Sequence, residues 1–228
     1  MPIGGSTGCQ LGSGVSRIRA ALFDWRGTLA HSPPPRWWAE RGLAAVGRPA
    51  TRAVLDRIGT ALAESGDLPN IDVSAAIHRD ATMRVFAAHG LDAELAEVLH
   101  ALDADAANHP LYPDAEAVLR GVRAHGAAIG IVSDFHVDLR PVLAAHGIAE
   151  LVDTWVLSFE HGIQKPDARM FTLALDALGA PPEHALMVGD RASHDGGAAD
   201  VGIATLILPP PPAELEPRGL DIVLRLLD

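Results

Sequence analysis

The sequence predicts an α/β protein: a parallel sheet with helices around it, interrupted by an all-helical insertion. Three observations predict this class. From about residue 114 onward, short apolar runs of strand length alternate strictly with helical stretches, the pattern of consecutive βαβ units. One further apolar run, Ile18 to Phe23, stands far upstream and stops abruptly at Asp24. Between the two lies a span of Ala/Leu-rich helical periodicity without a convincing strand.

Taken in order, residues 1–16 are rich in Gly and Ser and are expected to form a flexible leader. They lack the charged start and apolar block of a signal peptide. The first strand, Ile18–Phe23, is continuously apolar, as expected of a strand buried on both faces. A Gly27-Thr28 turn follows, and the proline run Pro33 to Pro35 leads the chain out of the sheet. Helices are then expected at Arg36–Val46, Thr51–Ser65, Val73–His89 and Asp92–Ala107. After His109-Pro110-Leu111-Tyr112-Pro113 the alternation begins: helix Asp114–His125, strand Ala127–Val132, helix Val137–His146 and strand Thr154–Leu157. Helix Ala168–Leu178, strand Ala185–Val188, helix Gly196–Val201, strand Ala204–Leu208 and an amphipathic helix Gly219–Leu227 complete it. The expected division is a leader at 1–16, a core of 17–34 and 109–228, and a helical module at 35–108.

Composition narrows the partners. A formal charge of −11 argues against a nucleic-acid backbone or an anionic membrane surface, both of which select basic patches, and favours a small molecule. No apolar run reaches the roughly 18 residues that span a bilayer. Cys9 is the sole cysteine, so no internal disulfide is possible and a reducing, cytoplasmic setting is expected. Nothing in the sequence fixes an oligomeric state. Of the 18 basic residues all are arginine except Lys165. A drift toward arginine explains the bias but not the exception; a crowded anionic site needing a compact ammonium with three donors does.

Polar residues gather where strands end. The first strand gives Asp24 and Thr28, and Ile131-Val132-Ser133-Asp134 gives a hydroxyl. Lys165 lies in Gln164-Lys165-Pro166-Asp167, at the expected start of a helix, and Leu186-Met187-Val188-Gly189-Asp190 is followed by Asp195. In a right-handed parallel sheet these ends open on one edge, where ligands bind. Asp24 is therefore a nucleophile candidate. Three carboxylates, Asp24, Asp190 and Asp195, form a hard oxygen site suited to Mg²⁺, and Ser133 and Lys165 beside it supply donors for a phosphoryl group.

These four motifs, in this order and spacing, resemble the haloacid dehalogenase-like superfamily, in the subgroup with a helical cap inserted after the first motif. The resemblance covers nearly all of the chain after Ser16. It implies a Rossmann-like three-layer core with a lid, and a Mg²⁺-dependent phosphatase acting on a small phosphorylated metabolite. It implies Asp24 as the nucleophile carrying an aspartyl-phosphate, Thr28 orienting its loop, Ser133 binding the phosphoryl group and Lys165 neutralising charge. It also implies Asp190 and Asp195 as Mg²⁺ ligands, one of them through water, with the backbone carbonyl of Arg26 as a further ligand.

Arg26 is the departure, since phosphatases of the superfamily usually carry there a second aspartate that protonates the leaving group and activates water. Arginine, with a pKa above 12, cannot serve as a general base. Arg26 is left two roles, clamping an anionic substrate group or turning outward. A non-hydrolytic phosphate- and Mg²⁺-binding regulatory protein is the alternative reading. Dehalogenases need no metal and tend to lose the fourth-motif carboxylates that are present here. Phosphonate hydrolases need a cap lysine, and residues 35–108 contain none.

Other residues are expected to be structural. Trp37 and Trp38 fit packing of the module junction better than a substrate pocket. His31 and His194 neighbour motif residues and could transfer protons, but eleven histidines are scattered along the chain. Asp134 suits either metal-bound water or a cap on the next helix. His161 and Gln164 are read as structural residues of the loop before Lys165.

Overall fold

The computed structural model describes residues 18–227, so the expected leader at 1–16, with Cys9, lies outside the described residues. The first strand, β1, spans Ala20–Phe23 and is fully buried. Four helices follow: α1 (Pro35–Ala45), α2 (Arg52–Gly66), α3 (Ala75–Ala88) and α4 (Ala93–Ala104). The chain continues through α5 (Ala115–Ala124), β2 (Ala128–Ser133), α6 (Arg140–Ala145), β3 (Thr154–Leu157), α7 (Ser158–His161) and α8 (Ala168–Leu178). It ends with β4 (Ala185–Gly189), β5 (Ala204–Ile207) and α9 (Asp221–Leu227).

The strands form one parallel sheet in the order β3-β2-β1-β4-β5. Because the chain moves outward from β1 through β2 to β3 and then returns to lay β4 on the other side of β1, the switch in winding falls beside β1. Clefts form at such switches, at the carboxyl ends of the strands. One face of the sheet packs under α5 and α9 through Phe23, Trp25, Ile129, Ile131, Val188, Leu119 and Val223. The other packs under α8 through Leu22, Val132, Met187, Met170 and Phe171. Alternate residues of β1 thus face opposite layers, which is why the strand reads as a continuous apolar run. The architecture is the three-layer α/β arrangement expected.

Helices α1 to α4 surround a separate apolar cluster that includes Leu43, Ile58, Phe86, Leu95 and Leu99. Ser74 and Asp92 cap α3 and α4 by accepting hydrogen bonds from the backbone N–H of Ile77 and Leu95.

Several expected elements shift. The third helix begins at Ala75 because Ile71–Val73 forms a 3-10 turn, and the fourth stops at Ala104, with a further 3-10 turn at Ala106–Asn108. The expected helix at Val137 starts only at Arg140, and Gly196–Val201 belongs to a 3-10 helix, Asp195–Val201. Helix α7 was unforeseen: a single turn carries too little periodicity to register, so His161 ends a helix rather than lying in a loop.

Candidate active site

The register of the sheet builds the site. Phe23 lies level with Ile131 on β2 and Val188 on β4, so the next residue, Asp24, emerges between two strand ends. Its backbone N–H donates to the Val188 carbonyl at 2.9 Å, which fixes the exit direction. Ser133 ends β2 and is buried. Lys165 lies three residues before α8 rather than at its start, with Asp167 as the helix cap between them.

The Lys165 side chain is buried, and its Nζ donates to Asp24 Oδ1 and to Asp195 Oδ1, each at 2.6 Å. Burial alone would lower the pKa of this ammonium, but Asp195, Asp24 and Asp134 outweigh it and the net shift is upward. Asp24 is pushed up to about 6 by burial, with Asp195 and Asp134 adding to the effect and Lys165 opposing it. Thr28 Oγ1 donates to the other oxygen of Asp24 at 3.3 Å. Both oxygens of Asp24 are therefore held.

Asp195 is fully engaged: its Oδ2 accepts from the backbone N–H groups of Asp190 and Arg191 at 3.1 and 2.9 Å. Asp190 is not. Its Oδ1 is buried without a hydrogen-bond partner among the described residues, and burial, then the charges of Asp24 and Asp195, push its carboxyl up to about 7. One oxygen from each of Asp24, Asp190 and Asp195 lies within 4.8 Å of the others. A hard divalent cation fits this set: all donors are oxygens, one is orphaned, and their mutual repulsion is what a dication relieves.

Two glycines let the loops close on these carboxylates. A Cβ at Gly27, whose φ is +79°, would run into the Asp190 carboxylate, and one at Gly189 would run into Asp195.

Arg26 does not join the carboxylate cluster. Its guanidinium reaches toward the helical insertion, with Nη1 3.4 Å from Asp103 Oδ1 on α4, Nη2 4.0 Å from Asp72 Oδ2, and the group lying over the Phe135 ring at 4.8 Å. Burial would lower its pKa, but Asp103 and Asp72 reverse the shift, so it stays a fixed cation. Asp134 does not cap the next helix. Its Oδ1 accepts from the backbone N–H of Lys165 at 2.9 Å, its Oδ2 is buried without a partner among the described residues, and burial pushes the carboxyl up to about 6.

A cavity of about 690 Å³ opens beside the site, between residues 66–73 of the insertion and residues 162–167 of the core. Asp134, Lys165, Arg191 and His194 line it. Gln164 joins the two walls by accepting from the Asp72 backbone N–H at 3.2 Å, and Ser158 Oγ donates to the Asp72 carbonyl at 2.6 Å.

The remaining candidates are placed as follows. His31 is buried edge-on to Tyr112, whereas His194 is held by Arg191 and Ser193 at the cavity wall. Trp38 is buried, donates to the Pro33 carbonyl at 2.8 Å and packs on Trp37 and His109. Arg218 was not anticipated: buried in the C-terminal tail, it donates through Nε to the Gly27 carbonyl at 2.6 Å and through Nη2 to the Pro209 carbonyl. No local pattern marks it, since Gly27 is 191 residues away in sequence.

With this geometry in place, comparison with known proteins is informative. The family model for haloacid dehalogenase-like hydrolases matches residues 18–202. A phosphoserine phosphatase of Thermus thermophilus is 35% identical over 164 residues, which cover 69% of this chain and 61% of that protein, so the chain spans less than two thirds of its length. Among solved structures, the HAD-hydrolase YfnB of Bacillus subtilis superposes with a TM-score of 0.68 at 18% identity, covering 93% of this chain and 99% of that one. The L-2-haloacid dehalogenase of Xanthobacter autotrophicus gives 0.64 at 21% identity, covering 84% and 77%. These two likenesses speak for the fold.

Proposed function

Since this chain belongs to the haloacid dehalogenase-like hydrolases, we propose that it is a Mg²⁺-dependent phosphatase of a small phosphorylated metabolite, with Asp24 as nucleophile. The observation that carries this reading is Lys165 Nζ bridging Asp24 and Asp195 at 2.6 Å beside the orphaned oxygen of Asp190. A dehalogenase has no use for that third carboxylate.

In this reading a carboxylate oxygen of Asp24 attacks phosphorus, an O–P bond forms, and the ester P–O bond to the leaving group breaks. Water then attacks the aspartyl-phosphate, releasing inorganic phosphate and restoring Asp24. Lys165 keeps Asp24 ionised in a buried setting and offers its charge to the phosphoryl oxygens; Thr28 fixes the carboxylate's orientation; Ser133 donates to the phosphoryl group. Asp24 and Asp190 would hold Mg²⁺ directly, with the Arg26 backbone carbonyl, and Asp195, both of whose oxygens are occupied, would do so through water. The chemistry Mg²⁺ supplies when bound is neutralisation of carboxylate and phosphoryl charge. Arg26 moves no proton. That role falls to Asp134, which lines the cavity and whose Oδ1 is fixed by the Lys165 backbone N–H. Residues 35–108 act as the cap, and Arg26 ties it to the core through Asp103 and Asp72.

Phosphate release from a panel of phosphorylated metabolites, with and without Mg²⁺, tests the reading. The native protein should turn over only with Mg²⁺. Asp24→Asn should be inactive, and Asp134→Asn, which keeps an acceptor for the Lys165 N–H, should lose about 10²- to 10⁴-fold in kcat. A native protein that binds phosphate and Mg²⁺ but releases no phosphate from any ester would instead establish the non-hydrolytic alternative.

A further inference from the structure

A second cluster of ligating side chains lies where the insertion meets the core, apart from the carboxylate site. His78 on α3, His100 on α4 and His136, which follows β2, each present one ring nitrogen, and the three nitrogens lie within 4.8 Å of one another. His78 Nδ1, His100 Nδ1 and His136 Nε2 are all buried and have no hydrogen-bond partner among the described residues. His78 and His136 are 6% and 2% exposed. Three such nitrogens left unsatisfied in one place call for an explanation.

The other nitrogens of two of these rings face carboxylates. His136 Nδ1 is 3.3 Å from Asp72 Oδ1, and His78 Nε2 is 3.6 Å from Asp103 Oδ2. For His136 that is the arrangement by which metal-ligating histidines are oriented, the outer nitrogen hydrogen-bonded to a carboxylate and the inner one left to ligate; His78 approaches the same arrangement at a longer distance, without a hydrogen bond. The neighbouring charges are Arg26 and Arg79 against Asp72, Asp103 and Glu97, so the cluster sits in a local excess of one negative charge. A bound cation is favoured there.

We propose that His78, His100 and His136 form a binding site for a borderline divalent transition ion of the Zn²⁺ class, distinct from the Asp24 site and joining the helical insertion to the core. The donor chemistry separates the two sites. Imidazole nitrogens suit Zn²⁺, Co²⁺ or Ni²⁺, whereas Mg²⁺ requires oxygens. Nitrogens on a tetrahedral ion stand about 3.3 Å apart, given metal–nitrogen bonds of about 2.0–2.1 Å, a spacing that falls inside the 4.8 Å enclosing these three. The rings of His78 and His136 now stack with centroids 3.4 Å apart and must splay to aim their lone pairs at a common point. A cavity of about 80 Å³ beside His78 and His100 gives them room. A fourth position is open to water or to Asp103. Because two ligands come from the insertion and one from the core, the bound ion holds the two together.

The test uses the full-length chain without an affinity tag, in saturating Mg²⁺ so that the carboxylate site is occupied. Zn²⁺ binding is followed by calorimetry, and Co²⁺ is added as a spectroscopic probe whose visible absorption is intense only in a tetrahedral field. A single site of micromolar affinity or tighter is expected, with a tetrahedral Co²⁺ spectrum and a raised Tm. His100→Ala, at the least buried of the three positions, should weaken binding about 100-fold or more and abolish the spectrum. His78→Ala should do the same, and Asp190→Asn should leave both readouts intact. Equal Zn²⁺ affinity in the native and His100→Ala chains, or an octahedral Co²⁺ spectrum in the native one, overturns the proposal. Because binding and not turnover is measured, these outcomes are independent of the phosphatase reading.

Discussion

Two buried charge networks sit within a few residues of each other in this molecule, and they are built on opposite principles. Around Asp24, one lysine is shared between two carboxylates at 2.6 Å and a third carboxylate is left unpaired. Around Arg26, one arginine is shared between two carboxylates at 3.4 and 4.0 Å, and the surrounding groups are histidines. The first network gathers Lys165 and Asp195, from the segments that follow β3 and β4, onto Asp24 and Asp190 at the ends of β1 and β4, whose relative positions the sheet's hydrogen bonds fix. The second joins the core to α4 and to the turn before α3, whose positions depend on how the helices pack. Short, closed geometry goes with the hydrogen-bonded sheet edge, and looser geometry goes with the contacts between the helical insertion and the core.

The comparison breaks most severely at Lys165. Lys165→Met removes the cation shared by Asp24 and Asp195 and strands both carboxylates in a buried site. Losing one partner of a buried ion pair costs about 3–5 kcal/mol, so the apo protein should show a fall in Tm of roughly 6 °C or more. Lys165→Arg should not rescue it, because a planar guanidinium cannot place one nitrogen between two carboxylates. Thermal unfolding followed by circular dichroism decides the matter. A Tm for Lys165→Arg equal to that of the native chain would show that the site tolerates either cation, and the reading of the sole lysine would then fall.

How far each network was legible in the sequence follows from the same contrast. Asp24, Ser133, Asp190 and Asp195 stand at or just beyond the ends of apolar runs, and a parallel sheet brings such ends to one edge whatever else the chain does. Lys165 was legible because composition singled it out. The partners of Arg26 were not, because Asp103 lies 77 residues on and meets it only through the packing of four helices around their own core. The histidine cluster was hidden likewise: His78, His100 and His136 share no spacing, and eleven histidines dilute any signal. Helix α7 and the 3-10 turns escaped because one turn is shorter than the period that reveals a helix.

A milder break falls at Arg26. Arg26→Asp restores the carboxylate that the family resemblance leads one to expect at this position. In the structure it sets a third carboxylate against Asp103 and Asp72, and it removes the cation that holds them. The expected outcome is a loss of about 2 kcal/mol, seen as a Tm lower by roughly 4–8 °C, together with faster proteolysis within residues 66–73. Arg26→Gln, which removes the charge without adding another, should lose about half as much. Equal Tm values for the native, Gln and Asp chains would mean that Arg26 bears no part in holding the insertion.

The smallest effect sharpens the other side. Asp24 and Asp190 sit at about 6 and about 7 in the folded chain, above the ordinary carboxylate value of 3.8, because they are buried beside like charges. A carboxyl whose pKa rises on folding binds its proton more tightly in the folded state, so its ionisation costs stability as pH rises from about 4 through the folded value. Without metal, these two groups should therefore make the protein more stable at pH 5 than at pH 8. Mg²⁺ binds the ionised forms and should reverse the order. At a concentration about ten times Kd it adds roughly 1.4 kcal/mol, or about 3–6 °C in Tm, at pH 8, and almost nothing at pH 5. Asp190→Asn should lose this gain while keeping the Lys165 bridge between Asp24 and Asp195. A Mg²⁺ shift of the same size at both pH values would place the ion away from Asp24 and Asp190, and the unpaired oxygen of Asp190 would then have to be satisfied by ordered water.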